Sequence, residues 1–230
     1  LLAAIVLAGC TGGGPSGVED GDEEGVGEGP ASEAPPNIVL IVADDLGWGD
    51  LGVNGQTRIR TPNLDRLGRE GTVFEAFYSG STVCAPSRYA LMTGHHMGRA
   101  WVRGNVGWPR GDLPLRPQDT TIAEVLKEAG YATGAFGKWA LGVADPVNES
   151  SILDTTGAPH RQGFDAFFGY ADQSEAHEYY VERLQQIENG RTVDVSFDSV
   201  RYSHELIVER ALGFIDRNRE EPFFLYLPVT

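Results

Sequence analysis

Asn37-Ile38-Val39-Leu40-Ile41-Val42-Ala43-Asp44-Asp45 decides the fold. From Ile38 to Val42 the run is unbroken, apolar and rich in β-branched residues, without the alternation of a strand that has one wet face. Such a run suits a strand buried on both faces, as in a parallel sheet. It ends in two adjacent carboxylates, with Gly47 and Gly49 close behind. Open α/β sheets place their ligands at the carboxyl ends of the strands. Successive strand residues point to opposite faces, so both aspartates reach one ion only if the backbone turns there, which the glycines permit. Hard oxygen donors of this kind suit Ca²⁺ or Mg²⁺. A solvated loop with one capping Asp is the plain alternative.

Downstream the pattern repeats. Thr61-Pro62-Asn63-Leu64-Asp65-Arg66-Leu67 predicts a helix, with Thr61 as N-cap, Pro62 in the first position, and Leu64 and Leu67 inward. Thr72 to Tyr78 predicts a short strand or extended segment. Thr120 to Ala129 predicts an amphipathic helix with Ile122, Val125, Leu126 and Ala129 on one face and Gly130 as its stop. Tyr131 to Phe136 then reads as a strand ending in Gly137-Lys138-Trp139. Ser203 to Asn218 reads as a helix built on Leu206, Ile207, Leu212, Phe214 and Ile215. Glu221-Pro222 breaks it before the strand Phe223 to Leu227. Strands alternating with helices predict an α/β fold, a sandwich around a mainly parallel sheet.

Between these elements lies Val83-Cys84-Ala85-Pro86-Ser87-Arg88, followed by Tyr89-Ala90-Leu91-Met92-Thr93-Gly94. Pro86 suits the first position of a short helix and Gly94 its end. Cys84 then sits at the positive end of the helix dipole, with Arg88 one turn along on the same face. A small buried thiol on an ordinary helix is the bland reading of the same residues.

The formal net charge of −15 is unevenly spread. Seven acidic residues and no Lys or Arg fall between Thr11 and Pro36, a Gly-rich stretch without apolar periodicity that predicts a disordered acidic linker. The remainder is mildly acidic, which excludes a nucleic-acid surface. The chain opens on Leu1-Leu2-Ala3-Ala4-Ile5-Val6-Leu7-Ala8-Gly9-Cys10. Ten residues cannot span a bilayer but suit the end of a signal-peptide core. Leu7-Ala8-Gly9-Cys10 resembles the bacterial lipobox, in which the cysteine becomes the lipidated first residue. That predicts an exported lipoprotein held to the membrane through Cys10, and leaves Cys84 without a disulfide partner in the chain.

Six blocks in order carry a resemblance: Pro36 to Val39 running into Asp44-Asp45; Thr61 to Asp65; Cys84-Ala85-Pro86-Ser87-Arg88 with Thr93-Gly94; Gly137-Lys138-Trp139; Gly163 to Gly169; and Pro222 to Leu227. Together they resemble the formylglycine-dependent (type I) sulfatases of the alkaline phosphatase superfamily, over roughly Pro36 to Thr230. The resemblance implies an α/β/α sandwich around a mainly parallel mixed sheet, with residues 37–230 as the N-terminal part of a catalytic domain. It implies that a separate formylglycine-generating maturation enzyme oxidises Cys84. The hydrated aldehyde then attacks sulfate sulfur in line and later expels sulfate with its second hydroxyl. It further implies that Asp44, Asp45 and the modified Cys84 hold Ca²⁺, or less readily Mg²⁺. Arg88 orients the hydrate, and Lys138 meets a sulfate oxygen of a sulfated small molecule or polysaccharide. Such enzymes continue past the position of Thr230 into further site residues, so this stretch reads as a fragment that does not turn over substrate alone.

The chain departs from the family at one position. Many relatives carry His after Gly-Lys-Trp, where this chain has Ala140, which resembles a bacterial subgroup whose compensating His matches His177. His177 is therefore a candidate catalytic residue, contacting substrate or supplying the missing imidazole, with a surface histidine as its alternative. His95 and His96, with Arg99 and Arg103, form either a cationic rim or a polar loop. Two further readings remain beside sulfate-ester hydrolysis. One is a phosphonate or phosphodiester hydrolase sharing Cys-x-Pro-x-Arg; the other is a degenerate surface lipoprotein that holds glycans without cleaving them.

Overall fold

The computed structural model describes residues 3–9, 35–105, 113–142 and 155–230. Cys10 and nearly all of the expected linker lie outside the described residues. Among these the chain order is β1 (Ala3–Gly9), β2 (Asn37–Ala43), α1 (Pro62–Glu70), α2 (Cys84–Thr93), α3 (Ile122–Glu128), β3 (Ala132–Lys138) and β4 (Ala166–Tyr170). β5 (Tyr180–Glu188), β6 (Arg191–Tyr202), α4 (Ser203–Asn218) and β7 (Phe223–Val229) follow.

The strands make one sheet in the order β1-β2-β7-β3-β4-β5-β6. Its centre, β2-β7-β3-β4, is parallel. The outer pairings are antiparallel: β1 on β2, β4 with β5, and β5 with β6. The apolar run that opened the sequence reading is β2, beside the central strand β7. The stretch Ala3–Gly9, read as the end of a signal peptide, lies along its other edge.

Period-two alternation sends successive residues of β7 to opposite faces. Phe224 and Tyr226 join Leu40, Val42, Phe167, Tyr89 and Met92 of α2, and Ala123 of α3 in one buried cluster. Phe223 and Leu225 join Phe136, Phe168, and Leu206, Ile207 and Phe214 of α4 in another. Helices cover both faces, giving the α/β/α sandwich. Each large side chain so buried stabilises the fold by about 1.5–3 kcal/mol.

Several local expectations change. α2 begins at Cys84, so Pro86 stands third rather than first; its missing N–H is still one of those a first turn leaves unpaired. Thr61 flanks α1 but makes no backbone cap. Its hydroxyl donates to Asp65 Oδ1 (2.8 Å) and accepts from the Gly52 N–H (2.8 Å), tying α1 to the preceding loop. Thr72 to Tyr78 forms no strand, and Phe74, Phe77 and Tyr78 stand exposed. On α3 the inward residues are Ala123 and Leu126, while Ile122 and Val125 face out. A capping box between Thr121 and Glu124 starts that helix. Leu212 of α4 is likewise exposed, and Ala211 takes the core position.

The hairpin β5–β6 was not anticipated. Its turn is Asn189-Gly190, with φ of 51° and 73°, both left-handed, the pattern of a two-residue turn matching strand twist.

Candidate active site

Three strand or helix ends meet where β2 finishes. The Asp44 N–H donates to the Val229 carbonyl (2.9 Å), which carries the parallel ladder one residue past β2. The chain then turns at Asp45 itself, whose φ is 58°. Asp tolerates the left-handed region, so the turn expected of Gly47 or Gly49 is made by a ligand candidate instead. β3 delivers Lys138 to the same place. The residue before it is Gly137, where a Cβ would stand 2.0 Å from the Pro228 carbonyl oxygen, so β7 passes too close for any side chain.

α2 brings the nucleophile candidate. Gly94 ends this helix with φ 67° and its N–H on the Ala90 carbonyl, as expected. Its start is held by two side chains, Ser87 from within the motif and Asn105, which no sequence pattern marks. Asn105 Oδ1 accepts the Ala85 N–H (3.0 Å). Ser87 Oγ donates to the Ser81 carbonyl (2.7 Å) and accepts from the Ser81 N–H (3.1 Å), pinning the loop before Cys84. Asp44, Asp45, Cys84 and Ser87 line one cleft with Ser81, Thr82 and Val83.

Lys138 Nζ lies 2.6 Å from Asp44 Oδ2 and 3.7 Å from Cys84 Sγ, joining carboxylate and thiol through one cation. Arg88 Nη2 lies 3.6 Å from Asp44 Oδ1, an ion-pair distance. Arg88 Nη1 donates to the Lys138 carbonyl and to Tyr226 Oη (3.3 Å). Both cations are fully buried, and Asp44 is 10% exposed. Burial pushes the Asp44 carboxyl up. The Arg88 charge and the Lys138 hydrogen bond and charge outweigh it, holding the group below the usual carboxylate range. Burial also pushes the Tyr226 phenol up, so it stays protonated beside Arg88.

Arg88 Nε and Nη2 are buried without a hydrogen-bond partner. Buried donors of this kind call for an acceptor. A thiol is a weak one; the oxygens of an oxidised, hydrated residue 84 would be strong ones. As for a metal, Asp44 and Asp45 are hard oxygen donors that fit Ca²⁺ in kind, two of the six to eight oxygens it takes. Among the described residues no three His, Cys, Asp or Glu side chains form a metal cage.

The structure thus brings together Asp44, Asp45, Cys84, Arg88 and Lys138. His177 is exposed on a short turn, Glu175–His177, outside this cluster. Ala140 is fully buried with φ 57°. His95 Nδ1 lies 3.2 Å from Tyr89 Oη rather than on a pocket rim.

Tyr89, the residue after Arg88, leads to a second network. Its hydroxyl donates to Asp119 Oδ1 (2.9 Å), and Arg116 Nη2 donates to the same oxygen (2.7 Å). Burial raises the Asp119 carboxyl; hydrogen bonds from the Arg116 side chain and backbone and from Tyr89 more than reverse this, holding it below 3.8. Its folded value lies below its unfolded one, so this stabilisation is complete above the unfolded value and is lost as pH falls through the folded value. We expect thermal stability to decline as pH drops below about 4 and Asp119→Asn to flatten that decline, measured as melting temperature against pH. An unchanged profile would exclude Asp119 from acid unfolding.

Comparison with known proteins gives a consistent result. The Sulfatase family model matches residues 36–229. An arylsulfatase of Hemicentrotus pulcherrimus is 37% identical over 84% of this chain and 36% of its own length. The N-acetylgalactosamine-6-sulfatase of Homo sapiens is 34% identical over 85% of this chain and 39% of its own. A solved structure in complex with its substrate D-glucosamine-2-N,6-O-disulfate superposes with a TM-score of 0.60 at 25% identity, over 84% of this chain and 34% of that one. The chain therefore spans well under half the length of these relatives.

Proposed function

Since this chain belongs to the sulfatase family, we propose that it carries the nucleophile side of a sulfate-ester hydrolase centre, with residue 84 converted from cysteine to formylglycine. The observation that supports this most directly is Lys138 Nζ set between Asp44 and Cys84, with Arg88 behind them. In this reading Lys138 binds a sulfate oxygen, and Arg88 donates its unpartnered Nε and Nη2 to residue 84 and fixes its orientation. Tyr226 and the Lys138 carbonyl hold the guanidinium still, so little reorganisation accompanies the reaction. Asp44 and Asp45 would hold Ca²⁺ together with ligands from elsewhere. Bound there, the ion would acidify the attacking hydroxyl and offset developing charge. The substrate class proposed is a sulfated sugar or small aryl sulfate, on the analogy of relatives that act on N-acetylgalactosamine 6-sulfate or bind glucosamine disulfate. His177 is proposed as a contact to that substrate from outside the buried cluster.

The proposal includes a maturation enzyme acting on Cys84 and export as a lipoprotein anchored through Cys10. The anchor rests on Leu7-Ala8-Gly9-Cys10 alone. Processing there would remove β1 and leave β2 as the sheet edge. One intact-mass measurement on the protein from its native host tests both steps. Formylglycine lowers the mass of residue 84 by about 18 Da, and lipidation starts the chain at Cys10. An unmodified thiol at residue 84 would overturn the catalytic proposal and favour a glycan-holding protein.

A further inference from the structure

On the opposite face of the sheet from α2, a groove of about 520 Å³ runs between α4 and the edge strand β6. Arg201 of β6 and Arg210 and Arg217 of α4 line it. None of the three side chains makes a hydrogen bond or ion pair among the described residues, although the protein is strongly acidic. Arg210 Cζ lies over the Phe168 ring at 5.0 Å from its centroid, a cation–π contact on the groove wall. Arg210 and Arg217 are seven residues apart on one helix face, about 10 Å along the axis. Between them lies Gly213, where an added Cβ would meet only the end of Arg217, at 3.3 Å. A glycine in a helix interior costs about 1 kcal/mol against alanine, and here it leaves room for the Arg217 guanidinium to lie back along the helix.

We propose that this groove binds an anionic oligosaccharide through sulfate or carboxylate groups on separate sugar units, as a site distinct from the Cys84 centre. Three cationic side chains from two elements suit a ligand with several anionic groups better than a single inorganic anion. The volume lies in the range of sites for small organic ligands. Glu209, which also lines the groove, adds an acceptor for sugar hydroxyls. A membrane surface or nucleic acid fits less well, since each requires a broad basic face. The proposal goes beyond the catalytic reading and does not depend on it.

The test is calorimetric titration of the whole protein, as a Cys84→Ala variant, with a heparin-derived tetrasaccharide. Binding is expected in that background, and Arg210→Ala or Arg217→Ala should each weaken it about tenfold or more. Gly213→Leu, which takes the room beside the Arg217 guanidinium and removes no charge, should weaken it as well, with the helical circular dichroism of all variants unchanged. The tetrasaccharide with its sulfates removed and its carboxyls reduced should not bind. Affinity within twofold of the parent in the arginine variants would overturn the proposal. So would displacement by inorganic sulfate at equal concentration, which marks a single-ion site, or preferential binding of phosphatidylserine vesicles, which marks a membrane surface. Loss of activity in Cys84→Ala with groove binding intact separates the two sites.

Discussion

Arg88→Ala should destabilise the protein by about 3–5 kcal/mol, the usual cost of removing one partner from a buried ion pair. The guanidinium is fully buried, and its loss leaves a cavity beneath α2. It also leaves Asp44 with Lys138 as its remaining cation and strips the Lys138 carbonyl and Tyr226 hydroxyl of their shared donor. For a chain of this size the melting temperature should fall by about 10 °C. Arg88→Lys should recover part of the loss, because a point charge replaces the fork without matching its geometry. A melting temperature within 2 °C of the parent for Arg88→Ala, on the order of the shift from 1 kcal/mol, would mean that the cluster does not hold the fold together.

Cys84→Ala should have the opposite profile. Cys84 is only partly buried at the first turn of α2, and alanine is the best helix former, so the fold should be retained. If residue 84 supplies the nucleophile, hydrolysis of an aryl sulfate should fall by about 10⁴-fold or more in the protein that carries this chain. Lys138→Ala should cost less, on the order of 10²–10³-fold, as one electrostatic contact among several. Turnover by Cys84→Ala at a tenth of the parent rate would end the assignment of residue 84 as nucleophile. Sulfate and phosphate esters assayed side by side separate the sulfatase reading from its phosphohydrolase alternative.

What the sequence revealed, and what it hid, follows from how local each cause is. β2, α4 and β7 were legible because long apolar runs and a 3.6-residue period are properties of neighbouring residues. The Asn189-Gly190 turn was also legible, since that dipeptide between strand-like runs is a strong hairpin signal, and reading it would have placed β5 and β6. The inward face of α3 was not. Ile122 and Val125 are apolar, yet the side that packs is set by the sheet beneath, which takes Ala123. In the candidate site, Asp44, Cys84, Arg88 and Lys138 were found through ordered motifs. Asn105 and Tyr226 were not: the first lies 20 residues from its partner and belongs to no motif, and the second lies 138 away in a block that reads only as a buried strand.

The position of β7 in the sheet bears on how this molecule is made. It is the last of the seven described strands in chain order and yet sits inside the sheet, between β2 and β3. The Phe223 N–H donates to Asn37 Oδ1 across a separation of 186 residues. During synthesis, β2 and β3 therefore emerge with facing edges that this strand cannot pair until the chain has been made through Val229. Contacts of such high order form slowly, and unpaired edges invite association with other chains while they wait. The Asp44 and Lys138 backbones, which flank that empty slot, are brought into register by the strand that arrives last.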